Sequence, residues 1–85
     1  MAYDLTYTRA AERGLAALPK ADARRIVEKL EALAADPASA AGVVKLTNRE
    51  GYRIRSGNWR AAFLLDHGEL VVVVVKVEKR SSVRR

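Results

Sequence analysis

Between Gly51 and Arg60 the chain reads Gly-Tyr-Arg-Ile-Arg-Ser-Gly-Asn-Trp-Arg, and no other stretch narrows the possible folds so far. Tyr52 and Ile54 alternate with Arg53 and Arg55, the period of a strand with one apolar and one polar face. Gly57-Asn58 supplies two residues that tolerate positive φ, which suits a two-residue hairpin loop. Such a loop fixes the register. Ser56 faces Trp59, Arg55 faces Arg60, Ile54 faces Ala61, Arg53 faces Ala62 and Tyr52 faces Phe63. One face then holds Tyr52, Ile54, Ala61 and Phe63, an evident core set. The other holds Arg53, Arg55 and Arg60. Like charges placed opposite each other are destabilising, so an anionic ligand is the expected reason for keeping them there.

The remaining pattern builds a small α+β domain around this hairpin. Tyr3, Leu5 and Tyr7 alternate with Asp4 and Thr6, which predicts a half-buried strand. Thr8 is placed to cap the helix that follows. Ala11, Leu15 and Leu18 give that helix its apolar stripe, and Gly14 weakens it by about 1 kcal/mol relative to Ala. After Pro19 a second helix runs to about Ala35, with Ala23, Ile26, Leu30 and Leu33 on one face. Asp36-Pro37 ends it, because a residue before proline is pushed out of the helical region. Lys29 reads as an ordinary helix-surface lysine. Residues 38 to 50 are expected to form a connecting loop, pinned by Val43, Val44 and Leu46. The second hairpin strand continues to Leu65 with Phe63 and Leu65 inward, and Asp66-His67-Gly68-Glu69 turns the chain. Leu70 to Val77 is apolar on both faces and strongly β-prone, so it belongs in mid-sheet between the Trp59 and Tyr3 strands. The predicted order is βααβββ, in a single domain over residues 1–85.

Composition sets further bounds. At 85 residues the core barely offsets the entropy of ordering the chain. There is no cysteine, hence neither a disulfide framework nor a thiolate metal site. The apolar run from Leu70 is too short to span a bilayer, and the N-terminus lacks a secretory pattern. A soluble cytoplasmic protein without membrane contact is expected. The formal charge of +6 favours an anionic partner, although Lys and Arg equally serve to solvate a surface. Clustering is the more informative feature. Arg49, Arg53, Arg55 and Arg60 lie close in sequence, and Lys79, Arg80, Arg84 and Arg85 crowd the C-terminus.

Much familiar chemistry is excluded. The single histidine, His67, falls in a turn with no triad around it. Glu28 and Glu31 are helix-surface positions, and Asp66 and Glu69 flank a turn. No His, Asp and Glu grouping has metal-ligand spacing, so no metal or cofactor is expected. No phosphate-cradling glycine loop is present. Arginine and lysine remain, and their donors suit phosphate.

The pattern resembles the RelE/ParE superfamily of type II toxin–antitoxin modules, and within it the RelE-like mRNA interferases. The similarity extends over nearly the whole chain: the first strand, the Leu15–Pro19–Ile26–Leu30–Leu33 helical pair, Asp36-Pro37, Lys45-Leu46, Gly51 to Arg60, Asp66, and the valine strand ending at Lys79-Arg80. Its most specific part is the centre, where members typically read Tyr-Arg-Ile-Arg-Val-Gly-Asp-Tyr-Arg. This resemblance implies an α+β fold with the helical pair on one sheet face. It also implies an endoribonuclease that cleaves mRNA in the ribosomal A site and is neutralised by a RelB-like antitoxin wrapped around it. The reaction would be attack of a ribose 2′-OH on the adjacent phosphate. By the same resemblance Arg53, Arg55, Arg60 and Arg80 are the catalytic residues. Lys45, Arg49, Lys79 and Arg84 are expected to be further RNA contacts. The family's usual ending is His-Arg, a few residues and Tyr. Here it is Lys79-Arg80-Ser81-Ser82-Val83-Arg84-Arg85, with Arg84 near the expected Tyr. Arg53 and Arg55 hold their protons too tightly to act as bases, so the proton-transfer roles have no evident owner. Two alternatives stay open: a non-enzymatic inhibitor of DNA gyrase, like the ParE branch, and a basic nucleic-acid-binding module without catalysis.

Overall fold

The hairpin register is realised residue for residue, with Tyr52↔Phe63, Arg53↔Ala62, Ile54↔Ala61, Arg55↔Arg60 and Ser56↔Trp59. Gly57 in the loop has φ of 61°, a conformation that costs glycine nothing. The computed structural model describes residues 2–39, 42–46 and 50–79. Its elements are β1 (Asp4–Tyr7), α1 (Arg9–Ala16), α2 (Lys20–Ala35), a short 3-10 turn (Pro37–Ser39), β2 (Val44–Lys45), β3 (Tyr52–Ser56), β4 (Trp59–Asp66) and β5 (Val71–Lys79). They form one five-stranded sheet in the order β1-β5-β4-β3-β2.

As its apolar character requires, β5 lies inside the sheet, parallel to β1 and antiparallel to β4. Both helices cover one face. Phe63, Ile26, Leu30, Leu33, Val72 and Val74 are fully buried between the layers, each contributing roughly 1.5–3 kcal/mol. Thr8 caps α1 as expected, its hydroxyl accepting the Ala11 N–H at 3.1 Å. No helix among the described residues is long and apolar enough to cross a membrane.

Three features depart from the sequence reading. The expected loop at 38–50 contains β2, a two-residue edge strand paired with β3 through Val44↔Arg53 and Lys45↔Tyr52. Two residues are too few to show a strand's period, and Val44 is exposed rather than pinned to the core. Gly14, unfavourable in α1 by propensity, is where the helix is pressed onto β5. A Cβ there would collide with the carbonyl oxygen of Val77.

The third departure is a bulge. Ala62 pairs with Lys76 but Phe63 pairs with Val74, leaving Val75 as an extra residue on β5. Val72 and Val74 face the helices, and after the bulge Val77 does so too. Strict alternation would instead have turned Lys76 and Glu78 toward the helices. The bulge is anchored by Thr8, whose hydroxyl donates to the Val75 carbonyl at 2.9 Å and whose N–H donates to the Val74 carbonyl at 2.9 Å.

Candidate functional site

The sheet face opposite the helices gathers the charge. Two cross-strand rows follow from the register. Arg55, Arg60 and Glu78 lie side by side on β3, β4 and β5, and one step along lie Arg53, Ala62 and Lys76. Neighbouring strands sit about 4.8 Å apart, so these side chains surround the small Ala62, which forms the floor of the group. Arg55 and Lys76 are exposed, and Arg53, Arg60 and Glu78 are half-buried.

Glu78 ties this surface together. Arg60 Nε donates to Glu78 Oε2 at 3.2 Å, and Lys76 Nζ lies 3.3 Å from Glu78 Oε1. The like-charge pair Arg55–Arg60 therefore has a carboxylate beside it, and part of the repulsion is relieved within the protein. Ion pairs this exposed are worth about 0.2–1 kcal/mol. A phosphate can displace Glu78 from Arg60 at small cost.

Two contacts hold the hairpin against α2. Trp59 Nε1 donates to Asp22 Oδ2 at 3.0 Å. Lys29 Nζ donates to the carbonyl of Arg55 at 2.6 Å, so Lys29 supports the hairpin and is not an indifferent surface lysine.

Of the residues expected at the site, Arg53, Arg55 and Arg60 are brought together. Lys45 and Lys79 are not. Their partners Tyr52 and Trp59 belong to the helix-packed face, so both lysines lie across the sheet from the arginines. Arg49, Arg80 and Arg84 lie outside the described residues. Lys76 and Glu78 were missed by sequence reasoning, and the signal was present: they are the first charges to break the valine run.

No tyrosine faces the cluster. Tyr52 stacks on Phe63, with ring centroids 5.8 Å apart and planes at 23°. Tyr3 and Tyr7 pack against the core from β1 and its approach. The Tyr7 hydroxyl is buried without a partner. Burial, aided by the negative charge of Glu31, pushes its phenol above the ordinary value. The exposed His67 remains a turn residue, hydrogen-bonded through Nδ1 to the Tyr3 hydroxyl at 2.6 Å. It borders a shallow cavity of about 410 Å³ lined by Tyr3, Pro37, Val43, Tyr52 and Leu65, none of which belongs to the basic rows. Among the described residues no group of His, Asp and Glu could hold a metal.

A helical pair on one face of a five-stranded mixed sheet is the architecture of the RelE toxins. The chain resembles the RelBE2 toxin–antitoxin complex of Mycobacterium tuberculosis with TM-score 0.81 at 25% identity, over 94% of this chain and 93% of that one. A mutant of the Escherichia coli toxin RelE in the free state matches with TM-score 0.77 at 27% identity, over 93% of this chain and 84% of that one. The E. coli RelE mutant in complex with a peptide of the antitoxin RelB gives 0.79 at 26%, over 96% and 87%. No curated protein matches the sequence. The family model described as the ParE toxin of the type II toxin–antitoxin system parDE matches residues 5–84. The chain is thus the toxin of a toxin–antitoxin module, and it belongs to the ParE toxin family.

Proposed function

We propose that this toxin is a ribosome-dependent mRNA endoribonuclease acting in the cytoplasm, held inactive by a RelB-like antitoxin. The observation that carries the reading is the convergence of Arg53, Arg55 and Arg60 on one open sheet face, joined there by Lys76. Arg80 completes the proposed set from the sequence. A guanidinium presents rigid paired donors to phosphate oxygens. Two or three of them can hold a scissile phosphate in line and stabilise the extra negative charge of its transition state. The antitoxin follows from the relatives solved as complexes with their antitoxins.

A second reading has its own support. The family model that matches is the ParE one, and it favours a non-enzymatic gyrase inhibitor that uses the same charges for binding alone. Expressing the chain in bacteria separates the two. Mapping mRNA ends by primer extension gives codon-phased cuts if the first reading holds, while a supercoiling assay shows gyrase inhibition if the second does. The Arg60→Ala, Arg80→Ala double variant is expected to fold normally by circular dichroism and to be non-toxic. A folded, toxic double variant would remove these arginines from the site.

A further inference from the structure

Cleavage by this route needs a group to take the proton from the ribose 2′-OH, and the arginines cannot. A guanidinium is always charged in proteins and cannot serve as a base. The three tyrosines are on the helix-packed face or lead into it. Asp4 and Asp66 face the open side as well, but they pair with Val71 at the other end of β5. Glu78 is the carboxylate in contact with the cluster. We propose, resting on the endoribonuclease reading above, that Glu78 is the general base of the reaction.

The geometry gives the sequence of events. Glu78 adjoins Arg60 directly across the β4–β5 pair and lies in the same row as Arg55. A phosphate bound by Arg55 and Arg60 replaces the carboxylate on Arg60 Nε and frees Oε2. Lys76 keeps hold of Oε1 and so restrains the side chain close by. The reaction then requires the bound nucleotide's 2′-oxygen on the β5 side of the phosphate, next to Glu78. Glu78 accepts the 2′ proton as the 2′-oxygen bonds to phosphorus. The bond from phosphorus to the 5′-oxygen breaks on the far side, toward β3, where Arg55 and Arg53 stabilise the departing oxygen. Water protonates that oxygen, and the hydroxide so formed takes the proton from Glu78. The products are a 2′,3′-cyclic phosphate and a free 5′-OH, with the carboxylate restored. The cationic groups facing Glu78 are Arg55 and Arg60 from the neighbouring strands and Lys76 from its own. None of the three is required to lose a proton.

The test compares Glu78→Gln with wild type in single-turnover cleavage on programmed ribosomes. Binding is measured separately, with an RNA carrying a 2′-O-methyl group at the scissile position. Gln keeps an oxygen for Arg60 and loses the basicity. The expected result is a cleavage rate lower by about 100-fold or more, the usual share of general base catalysis, with binding unchanged or tighter. Glu78→Asp, which retains a carboxylate on a shorter arm, is expected to cleave at least about tenfold faster than Glu78→Gln. Cleavage by Glu78→Gln within a few-fold of wild type would overturn the assignment and leave Glu78 as a counterion. Equal loss of binding and cleavage would overturn it in favour of a structural role, as would Glu78→Asp ranking below Glu78→Gln. A wild-type protein that binds ribosomes and cuts nothing would refute the endoribonuclease reading itself. That outcome is visible with the wild-type protein alone.

Discussion

Gly14→Ala separates two opposite expectations. On helix propensity alone the change stabilises by about 1 kcal/mol, because alanine loses less entropy in a helix. The packing of α1 on β5 reverses the sign. The new methyl group would collide with the Val77 carbonyl oxygen and crowd the Val77 carbonyl carbon at 3.0 Å. The obstacle is backbone inside a sheet and cannot rotate away, so α1 or β5 must shift. Overpacking of this kind costs typically about 1–3 kcal/mol, and a backbone obstacle puts it at or above the top of that range. After subtracting the propensity gain, the variant is expected to be less stable by about 2 kcal/mol or more. For a domain of this size that lowers Tm by roughly 4–8 °C per kcal/mol. Thermal unfolding followed by circular dichroism reads it directly. A Tm equal to or above wild type would refute the tight seating of α1 on β5. Val77 lies between Lys76 and Glu78, so the same displacement is expected to slow any cleavage by more than the loss of folded protein explains.

Thr8→Ala removes both the α1 cap and the partner of the Val75 carbonyl. Its urea midpoint is expected to fall by the equivalent of about 1–2 kcal/mol, and an unchanged midpoint would contradict the anchored bulge. Tyr7→Phe deletes a buried hydroxyl without a partner and is expected to stabilise by about 1 kcal/mol. Because the Tyr7 phenol is pushed up, the folded state holds its proton more tightly than the unfolded chain. Wild-type stability therefore falls as pH rises above about 10, and the phenylalanine variant loses less there; parallel alkaline curves would refute this. Affinity for single-stranded RNA should fall with salt at a log–log slope of roughly −2 to −3 for about three or four phosphate contacts. Arg53→Ala should make the slope shallower, whereas Arg24→Ala on the exposed surface of α2 should not; equal small losses from both would mean a diffuse positive surface. A small antitoxin is expected to be encoded beside this gene; at about 100 times its Kd it should stabilise the toxin by about 2.7 kcal/mol, and an unmoved Tm with the adjacent gene's product would rule that product out as the partner.

What could be read from the sequence was local. The loop Gly57-Asn58 sets the β3–β4 register by itself, and the alternation on either side assigns the faces, which is enough to place Arg53, Arg55 and Arg60 together. The valine run likewise announced an interior strand, and Asp36-Pro37 announced the end of α2. The two-residue strand β2 was too short to carry a pattern. Lys45 and Lys79 are basic residues close in sequence to the strands of the cluster, but their register partners set them on the other face.

The missed residues share one cause. Lys76 and Glu78 reach the arginine face because β5 gains a residue at Val75, and a bulge leaves a backbone group outside the ladder that must find another partner. Here that partner is the hydroxyl of Thr8, 67 positions away in the chain. A one-residue shift reverses every later side chain in a strand, so the composition of the candidate site depends on this tertiary hydrogen bond. The same threonine starts α1, and α1 presses Gly14 onto Val77 one step beyond the bulge. The helix thus holds β5 on both sides of its irregularity, while Trp59 and Lys29 fix the hairpin to α2. Which residues of β5 stand beside Arg60 therefore depends on how α1 seats on the sheet. Changes at Thr8 or Gly14, on the far side of the sheet from the arginines, should reach the chemistry through β5.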